Sequence, residues 1–465
     1  MSTQEVKSFF KNPATQITMK VTLIGILILI LLIPRFMILD LVTERQILSE
    51  SVKSEVTTGW GGNQVFTGPL LVIPYETLIK STEKGEKDFI QRKNLVIYPD
   101  SMKINGHLTT ESKHRSIYPV LLYRMNSSID GEFNIPDESR TNIDPNTLIL
   151  NEAFLIVGIS DIKGISDKID FQWNEEKQDF SPGLNNMRLS YQVPNSKPEY
   201  DNRKAPVEYN QAKPINGVHS NIMLKNSQSK YGFSFNLNIK GYHDLFFCPV
   251  AKTTDVNLNS EFPDPSFIGN YLPDNKVSKA GFTADWKILE YNKSLPEFDK
   301  TEDFIDLGDN LFGVMIDYPV DNYSKSYRTG RYMILIITLT FLIVFLTEIV
   351  QKIRIHIFQY LLIGLALAIF FTLQLSISEF LGFDVSFLIS SVATILLLFL
   401  YSLQIFRSRN SSLLLLGLFI ALFLYIYIII QMEKTALLAG SIGLFIVIAA
   451  TMYVTRKIKW YETGE

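Results

Sequence analysis

The chain has one cysteine, Cys248, in 465 residues, which excludes a disulfide-stapled scaffold. With no paired cysteines and no His-Glu-x-x-His, a closed zinc site has no support either. Histidine is scarce as well: His107, His114, His219, His243 and His356 are the only five. There is no Gly-x-Ser-x-Gly elbow and no Walker loop. A basic excess is also missing, since 44 Lys and Arg face 47 Asp and Glu for a net charge of −3, which argues against a nucleic-acid binder. The last 135 residues contain no proline, so the interrupted helices at which many secondary transporters bind substrate are not signalled. No cofactor or metal is expected.

The averages hide two populations. Residues 40–330 hold 17 of the 19 prolines and 31 Lys and Arg against 40 Asp and Glu, a net of −9. The remaining segments hold 13 basic and 7 acidic residues, a net of +6. A polar domain is joined to a strongly apolar one.

Residues 17–39 form the first apolar run, from Ile17 through the Val21–Ile33 stretch to Leu39. About 20 apolar residues at a rise of 1.5 Å cross a hydrocarbon core of ~30 Å. A secretory leader is the rival reading, because Lys7, Lys11 and Lys20 precede the run. No small-x-small cleavage site follows; Pro34 and Arg35 lead straight into the bulky group from Phe36 to Leu39. An uncleaved anchor is expected. Five more spans follow at about 332–347, 355–377, 385–406, 413–430 and 436–454, within a membrane part covering 331–456.

Loop charges orient these spans. Lys352 and Arg354, Arg407 and Arg409, and Arg456, Lys457 and Lys459 fall at every second end, together with the basic residues of segment 1–16. Both termini, 1–16 and 457–465, are therefore expected in the cytoplasm, with 40–330 on the outer side. Lys325, Arg328 and Arg331 run against this rule, but long translocated domains largely ignore it.

The outer domain reads as mainly β and sandwich-like. Phe233, Phe235, Leu237 and Ile239 alternate with polar neighbours, the period-2 signature of a half-buried strand. Asn105-Gly106, Asp130-Gly131 and Pro182-Gly183 supply turn signals. Leu41 to Val56 reads as a helix continuing out of the membrane, with Leu41, Ile47, Leu48 and Val52 as its apolar stripe. Trp173 to Pro214, polar and rich in proline, reads as a long loop. An ungapped shift of 150 residues brings 13 identities into register over 73 positions, Pro99 on Pro249 and Gly131 on Gly281 among them. Chance gives about four or five at ordinary composition, so duplicated β-lobes at 95–167 and 245–317 are expected.

Candidate functional residues are few. In the membrane part they are Glu348, His356, Gln359, Gln374 and Glu379, because an ionisable or amide group in a span needs a partner or a purpose. Most lie near span ends, where they can snorkel to water, and Glu348 is spaced to pair with Lys352 one helical turn on. Gln374 is the deepest, and an amide there commonly bonds a neighbouring helix. Trp60-Gly61-Gly62-Asn63-Gln64 with Gly68-Pro69 resembles a phosphate loop only superficially: it lacks the lysine and leads into a strand. A tight turn entering a strand is expected there.

With these residues placed, the chain resembles the CreD family of bacterial inner-membrane proteins along nearly its whole length. The resemblance is carried by Glu44-Arg45, Gly59-Trp60-Gly61-Gly62, Gly68-Pro69-Leu70, Pro74-Tyr75, Arg115 to Tyr123 and Asp161 to Ile165. It continues through Pro265-Ser266-Phe267, Gly281-Phe282, Trp286, Glu348, His356, Gln359-Tyr360, Gly364 and Ser378-Glu379 to Gly440-Ser441 and Thr455-Arg456. Phe380, Ile357 and Asp264 stand where the family pattern has histidine, proline and histidine, so a histidine chemistry is not expected. The resemblance implies the inner membrane of a Gram-negative bacterium and a role in envelope stress; it implies no reaction.

The expectation is a non-enzymatic envelope-integrity protein: an N-terminal transmembrane helix, a large periplasmic mainly-β domain and a C-terminal bundle of five transmembrane helices. Its partners would be membrane lipid and an envelope protein, lipid or glycan; neither the ligand nor the oligomeric state is specified by the sequence. The alternatives are a transporter or channel using Gln374 and Glu379, and a membrane hydrolase, for which no nucleophile motif exists.

Overall fold

The computed structural model describes residues 13–79, 89–194, 212–225, 228–317, 322–406, 408–432 and 435–456. Most of segment 1–16, the tail 457–465, residues 195–211 of the expected long loop, and Arg407 and Lys434 lie outside the described residues. The chain divides into two compact units, Val52–Pro319 and the combination of Met1–Ser51 with Val320–Glu465.

The apolar unit consists of helices. Helix α1 (Pro13–Ile30) and helix α2 (Leu32–Trp60) are separated at Leu31. Pro34 lies in the first turn of α2, where its missing N–H is tolerated; it cannot donate to the carbonyl of Ile30, so the hydrogen-bond ladder breaks there. The short α3 (Asn322–Arg331) precedes α4 (Met333–Gln351), α5 (Ile357–Leu381), α6 (Phe383–Phe406), α7 (Arg409–Gln431) and α8 (Ala436–Thr455). Among the described residues, six helical stretches are long and apolar enough to cross a bilayer, Ile17–Trp60 and α4 to α8. Spanning helices of this kind meet lipid directly.

Two details of α2 depart from the sequence reading. The helix runs on to Trp60, and its buried residues are Ile38, Leu39, Val42 and Ser49. Ile47 and Leu48, expected in the apolar stripe, are 61% and 46% exposed. Hydropathy alone does not fix the buried stripe; burial follows which face meets α3, where Leu39 packs on Gly330.

The polar unit is built from two main sheets. Its principal strands are β1 (Gln64–Ile79), β2 (Phe89–Ile97), β3 (Ser101–Arg115), β4 (Tyr118–Asn134), β5 (Phe154–Ile159), β6 (Lys213–Asn221), β7 (Lys230–Phe247), β8 (Thr253–Ser260), β9 (Gly281–Leu289) and β10 (Phe312–Ile316). In the first sheet β1 pairs with β2, β5 and the end of β7, and β6 and β10 extend it. The second sheet has the order β7-β4-β3-β8-β9, antiparallel except for the parallel β3 and β8. β7 is 18 residues long and serves both sheets, Lys230–Tyr242 pairing with β4 and His243–Phe247 with β10. The switch falls at His243, whose φ of 59° turns the strand, a conformation uncommon for a residue with a side chain.

Alternation decides the core. Phe233, Phe235, Leu237 and Ile239 point inward with Met102, Ile104, Leu108, Met125 and Ile129 of the neighbouring strands, forming one continuous apolar cluster with the first sheet. Rings bridge the sheets, Trp286 of β9 lying 5.4 Å from Phe312 of β10. Cys248 is fully buried in this core, and burial pushes its thiol up to about 12, so it is inert at neutral pH.

The duplication is not reflected in strand order. β3 pairs with β4, the next strand, whereas β8 pairs with β9 after two short intervening strands. Ser266–Gly269 joins β10 in the first sheet, and Asp274–Ser278 pairs on the far side of β9. The 13 identities therefore do not mark two lobes of like topology. The expected loop 173–214 is also not structureless, since Glu176–Gln178, Ser181–Pro182 and Arg188–Tyr191 are short strands added to existing edges.

Candidate functional site

The candidate residues of the helical unit gather into two polar clusters. The first is centred on Glu348, which is 6% exposed at the end of α4. Its Oε1 accepts from Lys20 Nζ of α1 and from the Ile355 N–H at 3.0 Å, and its Oε2 accepts from the Tyr360 hydroxyl at 2.9 Å. The ammonium of Lys20 also donates to the Ile355 carbonyl at 2.6 Å and lies 5.5 Å from the Tyr360 ring centroid. A buried carboxylate is tolerated when paired and hydrogen-bonded in this way. The expected partner, Lys352, is not used: it is the C-cap of α4, in the left-handed region at φ 53°, and the chain turns there toward α5.

His356 and Gln359 have structural work beside this cluster. His356 is the N-cap of α5; its Nδ1 accepts from the Phe358 N–H at 3.2 Å, and Gln359 Oε1 accepts from the His356 N–H at 2.9 Å. This reciprocal capping satisfies two helix-start donors.

The second cluster surrounds Gln374 and Glu379. Gln374 is 1% exposed, and its Nε2 donates to Ser326 of α3 and Ser386 of α6, each at 3.3 Å. Glu379 accepts from the Tyr323 hydroxyl of α3 at 3.3 Å and pairs with Arg45 Nε of α2 at 3.7 Å. Lys325, also buried, lies 3.6 Å from Asp384 of α6. Helix α3 thus supplies Tyr323, Lys325 and Ser326 to this cluster.

Between the clusters α5 turns apolar residues inward, and the buried polar side chains at that depth are the uncharged Thr340 of α4 and Ser390, Ser391 and Thr394 of α6. Tyr360 and Gln374 are 14 residues apart on α5, about 21 Å along the helix. Leu367, Phe370 and Phe371 fill that interval, and Phe370 packs edge-on against Phe387 of α6 and Phe423 of α7.

The glycine-rich motif forms a junction in the β-domain. Gly61 takes φ 141°, and a Cβ there would lie 2.7 Å from the Lys240 carbonyl, so only glycine fits. The Gly62 N–H donates to the Asp161 carboxylate at 2.9 Å, and Gln64 Nε2 donates to the carbonyls of Asp161 and Lys240. The Asp161–Ile165 segment and the glycine-rich motif are therefore one structural unit. Gly68 and Pro69 lie further along β1, where the register with β5 shifts between Thr67 and Leu70. Trp60 is ringed by cations: Lys113 Nζ at 3.7 Å, the Arg124 guanidinium at 4.5 Å and Lys240 Nζ at 4.9 Å from its ring centroid. Such contacts are worth about 0.5–2 kcal/mol each. Nothing in this turn forms a phosphate cradle.

Sequence reading missed Lys20, Arg45, Tyr323 and Tyr360 as partners. Lys20 carried a signal, since an ammonium inside an apolar run requires a counter-charge. Its distance from Glu348 in the chain hid which one. Among the described residues no group of three or more His, Cys, Asp or Glu is placed to hold a metal.

This architecture defines a multi-span membrane protein with a two-sheet β-domain inserted after its first apolar helices. The chain belongs to the CreD family, whose model, described as inner membrane protein CreD, matches residues 16–461. It is similar to the inner membrane protein CreD of Escherichia coli (strain K12), with 28% identity over 439 residues covering 93% of this chain and 91% of that protein.

Proposed function

We propose that this protein supports cell-envelope integrity from the inner membrane, with both termini cytoplasmic and the β-domain in the periplasm. There it binds another envelope component, and neither catalyses a reaction nor passes a solute. The observation that carries this reading is the separation of the bundle's polar clusters. Glu348, Gln374 and Glu379 are each engaged by a neighbouring helix, and a layer centred on Phe370 lies between the two groups. A path for ions would need ionisable groups through that layer, where the buried polar side chains are the uncharged Ser390, Ser391 and Thr394. The family's description as an inner-membrane protein supports the location, and the alternating basic loops support the orientation.

The test is photo-crosslinking in living cells from exposed positions of the β-domain, read by mass spectrometry. Adducts with an envelope component, absent when the reactive group is placed at exposed positions of α8, are expected. Failure to capture anything from any face of the domain would remove the reading.

A further inference from the structure

The second sheet carries an unusual outer face. Strand register places Asn236, Ser128, Asn105 and Asn257 side by side across β7, β4, β3 and β8. Two residues further along, Asn238, Asn126, His107 and Asn259 form a parallel row. Successive strand residues alternate faces, and the residues between these rows, Leu237, Ser127, Gly106 and Leu258, are buried.

Six of the eight side chains in the two rows are asparagine, which strands ordinarily avoid. Threonine would serve an exposed strand position at lower cost. Local rules broken together, with no packing gain, mark a site of use. Hydrogen bonding within the sheet does not account for them all. Asn238 donates to Asp167, Asn257 donates to Asp285, and His107 bonds Asn259. Among the described residues, the side chains of Asn105, Asn126, Ser128 and Asn236 make no hydrogen bond. The rows line a shallow cavity of about 420 Å³.

We infer that this face is a binding surface for an uncharged N-acetylated glycan strand of the cell wall. Amides and hydroxyls offer donors and acceptors in equal supply, which suits the hydroxyl and acetamido groups of such a chain. The rows themselves carry no ionised side chain, and charges of both signs flank them on the same face, Lys103, Asp130 and Asp255 beside the first row and Arg124 and Lys240 beside the second, so the face offers no uniformly positive field to an anionic lipid or to nucleic acid. The shape agrees: from β7 to β9 the face extends about 19 Å at ordinary strand spacing, long enough for several linked rings. Apart from the His107 imidazole these rows offer no ring for stacking, so hydrogen bonds carry the affinity and each contact is weak. The inference rests on the reading above that the β-domain faces the periplasm and binds an envelope component.

The experiment is co-sedimentation of the full-length protein, in detergent, with purified peptidoglycan sacculi. Competitors are tetramers of N-acetylglucosamine or of glucose, and vesicles of phosphatidylglycerol serve as a separate arm. Retention on sacculi, released by the N-acetylated tetramer and not by the glucose tetramer, is expected. The combined variant Asn105→Thr, Asn126→Thr, Asn236→Thr should bind about tenfold more weakly while melting at the same or a higher temperature. Equal retention of the variant, indifference to the N-acetylated competitor, binding only to vesicles, or a lower melting temperature of the variant would each overturn the inference. If crosslinks from the domain capture a protein while sacculi retain nothing, this inference fails and the functional reading stands. If neither occurs, both fail.

Discussion

Glu379, near the C-terminal end of α5, pairs with Arg45 of α2 at 3.7 Å and also accepts from Tyr323 of α3. α2 and α3 are the helices through which the chain leaves the bundle and returns to it. One carboxylate therefore ties the exit and the re-entry to the same span.

The Arg45 side chain is 42% exposed, so solvent screening limits the pair to about 0–1 kcal/mol. Glu379→Gln should lower unfolding stability by no more than that and reduce protection of cells against envelope stress. The exchanged pair, Arg45→Glu with Glu379→Arg, should restore protection. Thermal unfolding of the detergent-solubilised chain and survival of cells carrying each variant check this.

Glu348 is a stronger case. It is the shared acceptor for Lys20, Tyr360 and the Ile355 N–H. Glu348→Leu leaves a largely buried ammonium behind, and breaking such a pair costs about 3–5 kcal/mol. In a double-mutant cycle, Lys20→Met should cost much less in a Glu348→Gln background than in the wild type. Additive effects would mean the pair is not formed.

The β-domain contains a pH-sensitive corner. Burial lowers the pKa of His243, but the hydrogen bond and charge of Asp244, together with the charge of Asp317, outweigh burial and the opposing charge of Lys53, so the net shift is upward from 6.5. A group whose folded pKa is raised stabilises fully below its unfolded pKa, and the contribution is lost as pH rises through the folded value. Unfolding measured from about pH 6 to about pH 8 should show stability falling in the wild type. His243→Asn, which tolerates the positive φ, should remove that component of the slope.

Topology has a direct readout. Alkaline phosphatase fused after Tyr291 or at Gly382 should be active, and fusions at Ser408 or at the C-terminus should be inactive. An active C-terminal fusion would require an odd number of spans.

Much of this fold is legible in the residues because its two halves obey different periods. The uninterrupted apolar runs announce α4 to α8, and the alternation at Phe233–Ile239 announces β7. What stayed hidden is long-range. Nothing local tells that β7 changes sheets at His243, that β8 pairs with β9 past two short strands, or that β3 and β8 run parallel. The site follows the same division. Glu348, Gln374 and Glu379 stand out as polar groups in spans, but their partners come from α1, α2 and α3, distant in the chain. α3 in particular reads as ordinary polar linker until Tyr323, Lys325 and Ser326 are seen buried. The Asn rows are invisible to a search for motifs, because their residues meet only through strand register.

The central claim is that the bundle anchors and the β-domain binds. Ion flux into proteoliposomes of the purified full-length protein tests it most directly, with protein-free vesicles and the Gln374→Leu and Glu379→Gln variants alongside. The account predicts flux indistinguishable from protein-free vesicles for all three proteins. A wild-type flux that disappears with either substitution would contradict it and make the protein a transporter.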